Sequence, residues 1–303
     1  MECRGQGFSQ VGCGWDTPAQ ESASESYRVT SPLRTALVYD FDGTLAPRNL
    51  PEHTFLPALG IAESETFWAD VKEEARLADG CEILAYMHRM LEVAKAAGVS
   101  VTRDVLQAHG QGVPLFAGVE DWFEEIDAYG REKGLAIEHY VISSGILEII
   151  EGCRIYPRFK KVFASAYTYD DAGRAKWPAS AINYTNKTQF LFRINKGIDN
   201  VWDNSAINAW QPKRDRPIPF SRMVFLGDGD TDIPSMKMVR QKGGQAVAVF
   251  DPGLFEQRKS QGRLERLIAE DRVDYVAAAD YTSDSLLRVV VRGILGRMAL
   301  RAG

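Results

Sequence analysis

Thr35-Ala-Leu-Val-Tyr-Asp40-Phe-Asp42-Gly43-Thr44-Leu45 is the stretch of this chain that decides its fold. Its short apolar run, preceded by Pro32 and followed by Gly43, predicts a strand that is buried on both faces. Asp40 and Asp42 come where that strand ends, and residues i and i+2 of an extended chain share a face. Both carboxylates are therefore expected to point into one site, while Gly43 lets the backbone turn away without a Cβ clash.

Apolar runs and turn residues downstream of this stretch predict further strands separated by helices. The predicted strands are 140–142, 162–165, 223–226, 246–250 and 275–278, with a hairpin at 167–177. The predicted helices are 145–151, 187–196, 254–269 and 283–300. Strands that alternate with helices are typical of a parallel sheet covered on both faces. The predicted fold class is therefore α/β, with a Rossmann-like three-layer parallel sheet.

The segment between the first two predicted strands has a different pattern. Residues 47–134 carry apolar side chains three and four residues apart, which indicates helices, and no convincing strand. We therefore predict an α-helical cap domain at 47–134, inserted into an α/β core made of 31–46 and 135–303. Residues 1–30 are rich in Gly, Ser, Gln and Glu, and they are predicted to form a flexible N-terminal tail.

The composition of the 303-residue chain excludes several classes of function. Hydrophobic residues make up 45% and charged residues 25%, which provides enough apolar material for a sizeable core. A net charge of −5 gives no support for nucleic-acid binding, which normally needs a basic excess. The longest apolar runs, such as 246–250, are far too short to span a bilayer. We predict neither a nucleic-acid nor a membrane partner.

The cysteines show no pattern of a metal site or a disulfide framework. They stand at positions 3, 13, 81 and 153, without C-x-x-C spacing and without a histidine at zinc-finger spacing. Reduced cysteines and a cytoplasmic location are the prediction that follows.

Polar residues also follow two later strands of the predicted sheet. Ser143-Ser144-Gly145 comes directly after the strand 140–142, and Gly227-Asp228-Gly229-Asp230-Thr231-Asp232 directly after 223–226. Because the carboxyl ends of parallel strands lie at one edge of a sheet, these groups are expected to converge with Asp40 and Asp42. Carboxylates that lie so close together raise each other's pKa unless a cation sits among them.

Magnesium is the cation that this set of residues favours. Carboxylate oxygens without Cys or His suit Mg²⁺, which usually completes its coordination with water and substrate phosphate. A calcium EF-hand beginning at Asp228 is excluded, because positions six and twelve of such a loop would be Ile233 and Val239 instead of Gly and Glu. The predicted site therefore suggests phosphate chemistry.

These stretches resemble the motifs of a known family. Val38–Leu45, Val141–Gly145 and Phe225–Asp232 resemble the first, second and fourth motifs of the haloacid dehalogenase (HAD) superfamily of phosphohydrolases. The chain order and the hairpin resemble its phosphoserine phosphatase branch, and the inserted helices stand at the family's cap position. The third motif is a lysine, for which both Lys187 and Lys196 are candidates. We favour Lys187, because it begins a predicted helix as the family lysine usually does.

The resemblance implies a role for each acidic residue. Asp40 would attack phosphorus and form an aspartyl-phosphate, and Asp42 would protonate the leaving oxygen and then activate water. Mg²⁺ would be held by Asp40, the backbone carbonyl of Asp42 and Asp228, with Asp232 close by. Asp230 is an additional acid with no assigned contact.

The remaining expectations concern the substrate. The phosphate-binding residues implied by the resemblance are Gly43, Thr44, Ser143, Ser144, Gly145 and Lys187. Arg48 and His53 are expected at the surface, and Trp68 is expected to pack inside the cap. The predicted function is Mg²⁺-dependent hydrolysis of a small phosphorylated metabolite. A phosphotransferase on the same fold and a non-catalytic regulatory module that binds a phosphate ligand remain open as alternatives.

Overall fold

A seven-stranded sheet forms the centre of the computed structural model, which describes residues 31–229 and 231–301. The strands are β1 (Leu33–Tyr39), β2 (Leu135–Ile146), β3 (Lys161–Tyr169), β4 (Ala175–Ser180), β5 (Met223–Gly227), β6 (Gln245–Phe250) and β7 (Tyr275–Ala278). Their order across the sheet is β4-β3-β2-β1-β5-β6-β7. All neighbouring strands are parallel except β3 and β4, which form the predicted antiparallel hairpin.

Five helices are inserted between β1 and β2, and no strand lies in that described part of the chain. They are α1 (Phe55–Ala58), α2 (Ser64–Leu77), α3 (Glu82–Ala96), α4 (Arg103–Gln111) and α5 (Val119–Glu132). The later helices are α6 (Leu147–Gly152), α7 (Lys187–Lys196), α8 (Asn204–Asn208), α9 (Ile233–Gln241), α10 (Arg258–Ala269) and α11 (Leu286–Leu300).

The central strands are buried on both faces. Since successive side chains point to opposite sides of the sheet, each of these strands contributes to two cores. On β1, Ala36 and Val38 belong to one hydrophobic core, and Leu37 and Tyr39 belong to another. Helices α7, α9 and α10 contribute to the first core, and α5 and α11 to the second. The sheet is thus the middle of three layers, which confirms the predicted fold class.

A series of hydrogen-bonded side chains contacts Tyr39, the last residue of β1, directly before Asp40. The Trp122 indole on α5 donates a hydrogen bond of 2.9 Å to the Tyr39 hydroxyl, which lies 3.0 Å from Nδ1 of His139. The other ring nitrogen of His139 lies 3.1 Å from a carboxylate oxygen of Asp127. Because that carboxylate accepts from Nε2–H, Nδ1 is left to accept from Tyr39. Each side chain of this hydrogen-bonded series, from Trp122 to Asp127, therefore has a polar partner.

The structure differs from the sequence prediction after the second strand. Residues 143–146 remain extended, with a shift of register between Ile142 and Ile146, so that α6 begins at Leu147 and not at Gly145. Strand β2 also begins earlier than predicted, at Leu135. Ile137 and Glu138, near the start of β2, are half-buried and do not belong to a continuous apolar run. The apolar pattern of the sequence therefore does not predict this part of the strand.

Other predictions concern cysteines, membranes and the tail. Cys81 is half-buried and Cys153 is buried, and neither is in a disulfide bond among the described residues. Within the described ranges, no helix is long and apolar enough to cross a membrane. The predicted tail 1–30, Asp230, Cys3 and Cys13 lie outside the described residues.

Candidate active site

The carboxyl ends of the three central strands bring the predicted site residues to one edge of the sheet. Tyr39, the last residue of β1, pairs with Val141 on β2 and with Leu226 on β5. The backbone amide of Asp40 then donates to the Leu226 carbonyl at 2.9 Å, which ties the first motif to the strand that carries the fourth. The convergence expected from the sequence is therefore present.

Lys187 joins two of the carboxylates. Its Nζ lies 2.9 Å from Oδ2 of Asp40 and 2.8 Å from Oδ1 of Asp232, and its side chain is only 1% exposed. Lys196, the other candidate, lies at the far end of α7 and donates to the carbonyls of Ile207 and Ala209. Of the two lysines, Lys187 is therefore the one beside the acidic cluster.

The charge of Lys187 is stabilised by its neighbours. Burial acts to lower the pKa of Lys187, but the adjacent Asp232 and Asp40 carboxylates outweigh that effect, and the pKa is raised. The lysine therefore stays protonated at neutral pH, and its positive charge offsets part of the repulsion between the two acids.

Three aspartates offer a pocket for a cation. One carboxylate oxygen from each of Asp40, Asp228 and Asp232 can be chosen so that all lie within 4.8 Å of one another. Asp232 is fully buried, and its Oδ2 has no hydrogen-bond partner among the described residues. A sealed carboxylate oxygen without a partner is costly, and a divalent cation would supply the missing interaction. Oxygen donors alone are the set that suits Mg²⁺.

Asp42 lies beside this trio instead of within it. One of its carboxylate oxygens accepts a hydrogen bond of 2.9 Å from the backbone amide of Leu50. Burial raises the pKa of the Asp42 carboxyl well above its ordinary value, and the neighbouring charge of Asp40 adds to that effect. A carboxyl group that holds its proton more tightly than usual is suited to donate that proton to a leaving oxygen.

Only three of the six predicted phosphate-binding residues line the cavity. Gly43, Ser144 and Gly145 line the cavity that contains Asp40 and Asp42. Ser143 is buried behind them, where its hydroxyl accepts from the Gly145 amide at 2.9 Å. Thr44 is also buried, and its hydroxyl has no hydrogen-bond partner among the described residues.

Gly43 allows the first motif to approach the fourth. Its φ of +71° lies in the left-handed region, and a Cβ at this position would lie 2.7 Å from Oδ2 of Asp228. Gly98 has almost the same φ, +72°, but a Cβ there would meet nothing within 4 Å. Substitutions at these two glycines can therefore be compared to separate the energetic cost of the left-handed backbone from the cost of crowding the Asp228 carboxylate.

We expect Gly43→Ala to weaken Mg²⁺ binding by about tenfold or more, because the new methyl group displaces a carboxylate of the trio. Gly98→Ala should lower the free energy of unfolding by about 1–2 kcal/mol, as left-handed backbone costs a non-glycine residue, without affecting Mg²⁺. Titration calorimetry and urea unfolding of both variants provide the measurement. Equal Mg²⁺ affinities in the two variants would contradict this account of Gly43.

The cavity above the trio has a volume of about 730 Å³. Its walls include residues of α2, α3 and α10 and of the loops after β1, β4, β5 and β6 that were not predicted as site residues. Among them are Arg48, Asn49, Glu65, Trp68, Lys72, Glu82, Ile83, Tyr86, Tyr184, Asp251 and Arg263. The stripe Glu65, Trp68, Ala69, Lys72 follows helical spacing, but that spacing alone does not distinguish a cavity wall from a solvated face.

The structure adds a cavity-lining position to the expectations for Arg48 and Trp68. Arg48 is exposed, as expected, but it also forms part of the cavity wall, and its φ of 55° is unusual for a residue other than glycine. Trp68 packs against Tyr86 with ring centroids 5.3 Å apart, and it lines the cavity as well. His53 is half-buried and does not line this cavity.

No protein-family model matches the chain. An uncharacterized protein of Borreliella burgdorferi is 26% identical over 276 residues, which cover 83% of this chain and 93% of that protein. A phospho-aspartyl intermediate analogue of phosphoserine phosphatase covers 86% of this chain and 99% of its own, with a TM-score of 0.52 and 13% identity. The similarity to a HAD family hydrolase of Salmonella enterica serovar Typhi covers 75% of this chain and 66% of that protein, with a TM-score of 0.51 and 16% identity.

The chain is therefore structurally similar to HAD family hydrolases, and to phosphoserine phosphatase structures in particular, over most of its length. This confirms the resemblance that the motifs indicated. The fold is that of a HAD core with helices inserted after the first strand, and it carries a buried group of aspartates that could bind a metal.

Proposed function

We propose that this protein is a Mg²⁺-dependent phosphomonoesterase that acts on a small phosphorylated metabolite. The observation that carries the proposal is the placement of Lys187 between Asp40 and Asp232, with Asp228 completing a trio of carboxylates at the edge of the sheet. A buried lysine among carboxylates, below an open cavity, is an arrangement that suits the binding of a phosphoryl group beside a divalent cation.

In the first step, Oδ of Asp40 attacks phosphorus and the bond from phosphorus to the leaving oxygen breaks. Asp42 gives its proton to that oxygen, so that a neutral alcohol leaves. In the second step, the Asp42 carboxylate takes a proton from water, which attacks the aspartyl-phosphate and releases inorganic phosphate and Asp40. Covalent catalysis of this kind divides one difficult step into two easier ones.

The neighbouring groups neutralise charge and position the phosphoryl group. Bound to Asp40, Asp228 and Asp232, Mg²⁺ would neutralise charge on the phosphoryl oxygens. Lys187 places a positive charge beside Asp40 and orients its carboxylate through their 2.9 Å contact. The Ser144–Gly145 segment lines the same cavity as the Asp40 and Asp42 carboxylates, where its polar groups can contact phosphoryl oxygens.

Helices α2 and α3 are proposed to act as the cap, within the inserted segment 47–134. Their side chains line the upper part of the cavity, and both cationic and anionic groups stand there, notably Lys72, Glu65 and Glu82. Covering the site would exclude water from the reacting atoms and provide contacts to the leaving group. The predicted α/β core, 31–46 and 135–303, would carry the chemistry.

Hydrolysis of an aryl phosphate with and without Mg²⁺ tests the proposed function. We expect turnover with Mg²⁺ and at least about 100-fold less in metal-depleted protein, because the carboxylates then repel the phosphoryl group. A panel of phosphorylated metabolites, assayed both for released phosphate and for transfer to an added alcohol, separates the phosphatase from the phosphotransferase alternative. Mg²⁺ binding without turnover of any ester would instead support the regulatory alternative.

A further inference from the structure

A second cavity, of about 320 Å³, lies at the opposite edge of the sheet from the aspartates. It is lined by residues at the amino ends of β1, β5 and β6, such as Leu33 and Gln245, and by the last turn of α11. Its charged lining residues are Arg222, Arg297 and Arg301, and no acidic side chain is among the described residues around it. The cavity is thus cationic and separate from the proposed active site.

Arg222 is the residue that indicates a missing partner. Its Nε is sealed from solvent without a hydrogen-bond partner, and no carboxylate of the described residues lies within ion-pair distance of its guanidinium. Burial lowers the pKa of Arg222, which reflects the cost of desolvating a cation that has no counter-ion. By contrast, Arg240 on α9 pairs with both Asp271 and Asp274.

The other two arginines do not supply that partner. Arg297 donates to the side-chain oxygen of Gln245, which is a neutral acceptor, and Arg301 is exposed at the cavity. Three like charges around one cavity repel each other, and the repulsion is relieved by an anion with several acceptor oxygens.

We propose that this arginine cavity binds a small free oxyanion, one that carries phosphate or carboxylate groups. Guanidinium groups present planar pairs of N–H donors that match the oxygens of these anions. The cavity volume of about 320 Å³ is sufficient for a small anion of this type. The proposal does not depend on the phosphatase activity, because the arginines and the aspartates lie at opposite edges of the sheet.

Inorganic phosphate is the probe, and titration calorimetry of metal-depleted protein is the measurement. Metal is removed by ion exchange and not by a chelator, because chelators are themselves polycarboxylates. Without metal, the aspartate site repels phosphate, so the arginine cavity is the site that remains. We expect one saturable site, with a Kd that rises about tenfold or more in Arg222→Gln, equivalent to about 1.4 kcal/mol.

Arg292→Gln is the matched control. Arg292 lies on the same helix as Arg297, but its guanidinium is stacked over the Tyr129 ring at 4.3 Å and does not line the cavity. Its Kd for phosphate should equal that of the wild type. Equal phosphate binding in all three proteins, or none in the wild type, would overturn the proposal.

A carboxylate from the undescribed ends of the chain is the competing counter-ion. In that case Arg222→Gln would lower the melting temperature without added anion, and phosphate would raise the wild-type melting temperature no more than that of the variant. This result would also overturn the proposal. Phosphate-dependent stabilisation that is lost in Arg222→Gln and kept in Arg292→Gln would support it.

Discussion

Asp40→Asn is expected to reduce turnover of phosphate esters by about 10⁴-fold or more, since loss of a catalytic nucleophile has effects of this order. The amide has nearly the shape of the carboxylate but cannot form the aspartyl-phosphate. The variant should still fold, because the amide nitrogen of Phe41 can keep its contact with the side-chain oxygen of residue 40, which is 2.8 Å in the wild type. Steady-state kinetics with an aryl phosphate and Mg²⁺ provide the measurement.

Asp251→Asn is the matched control for this prediction. Asp251 lines the same cavity, but its carboxylate accepts a hydrogen bond from the backbone amide of Gly253 and is not part of the trio. Its substitution should change turnover by less than about tenfold. If Asp40→Asn retained activity similar to that of Asp251→Asn, Asp40 would not be the nucleophile.

Lys187→Met is expected to destabilise the metal-free protein by about 3–5 kcal/mol, the usual cost of removing one partner from a buried ion pair. Methionine fills a similar volume, so the main loss is electrostatic. Asp40 and Asp232 would be left buried and close together without the positive charge that lies 2.9 Å and 2.8 Å from them. Urea unfolding in metal-depleted buffer provides the measurement.

Added Mg²⁺ should recover part of that stability, because a cation bound by the carboxylates replaces some of the lost charge. Lys196→Met is the control, since the Lys196 ammonium is partly exposed and contacts only backbone carbonyls. Its cost should be about 1 kcal/mol and should not depend on Mg²⁺. A larger loss in Lys196→Met than in Lys187→Met would contradict the assignment of Lys187 to the site.

The fold class and the acidic cluster were predictable because both depend on local patterns. A run such as Ala36–Tyr39 is apolar at every position, which happens when helices cover both faces of a strand. Parallel strands bring their carboxyl ends to one edge, so Asp40, Ser143 and Asp228 could be placed together without coordinates. The extension of β2 beyond its apolar part was missed, because its first residues are only partly buried.

The sequence alone thus determined the layered sheet, the edge that carries the chemistry and the residue types found there. The tertiary structure decided which lysine lies beside the acids, which helical side chains form the cavity wall, and that Arg222 shares a second cavity with the two arginines at the end of α11. These facts depend on how segments far apart in the chain pack together. The start of a predicted helix favoured Lys187 over Lys196, but only packing shows that one forms a buried ion pair and the other contacts backbone carbonyls.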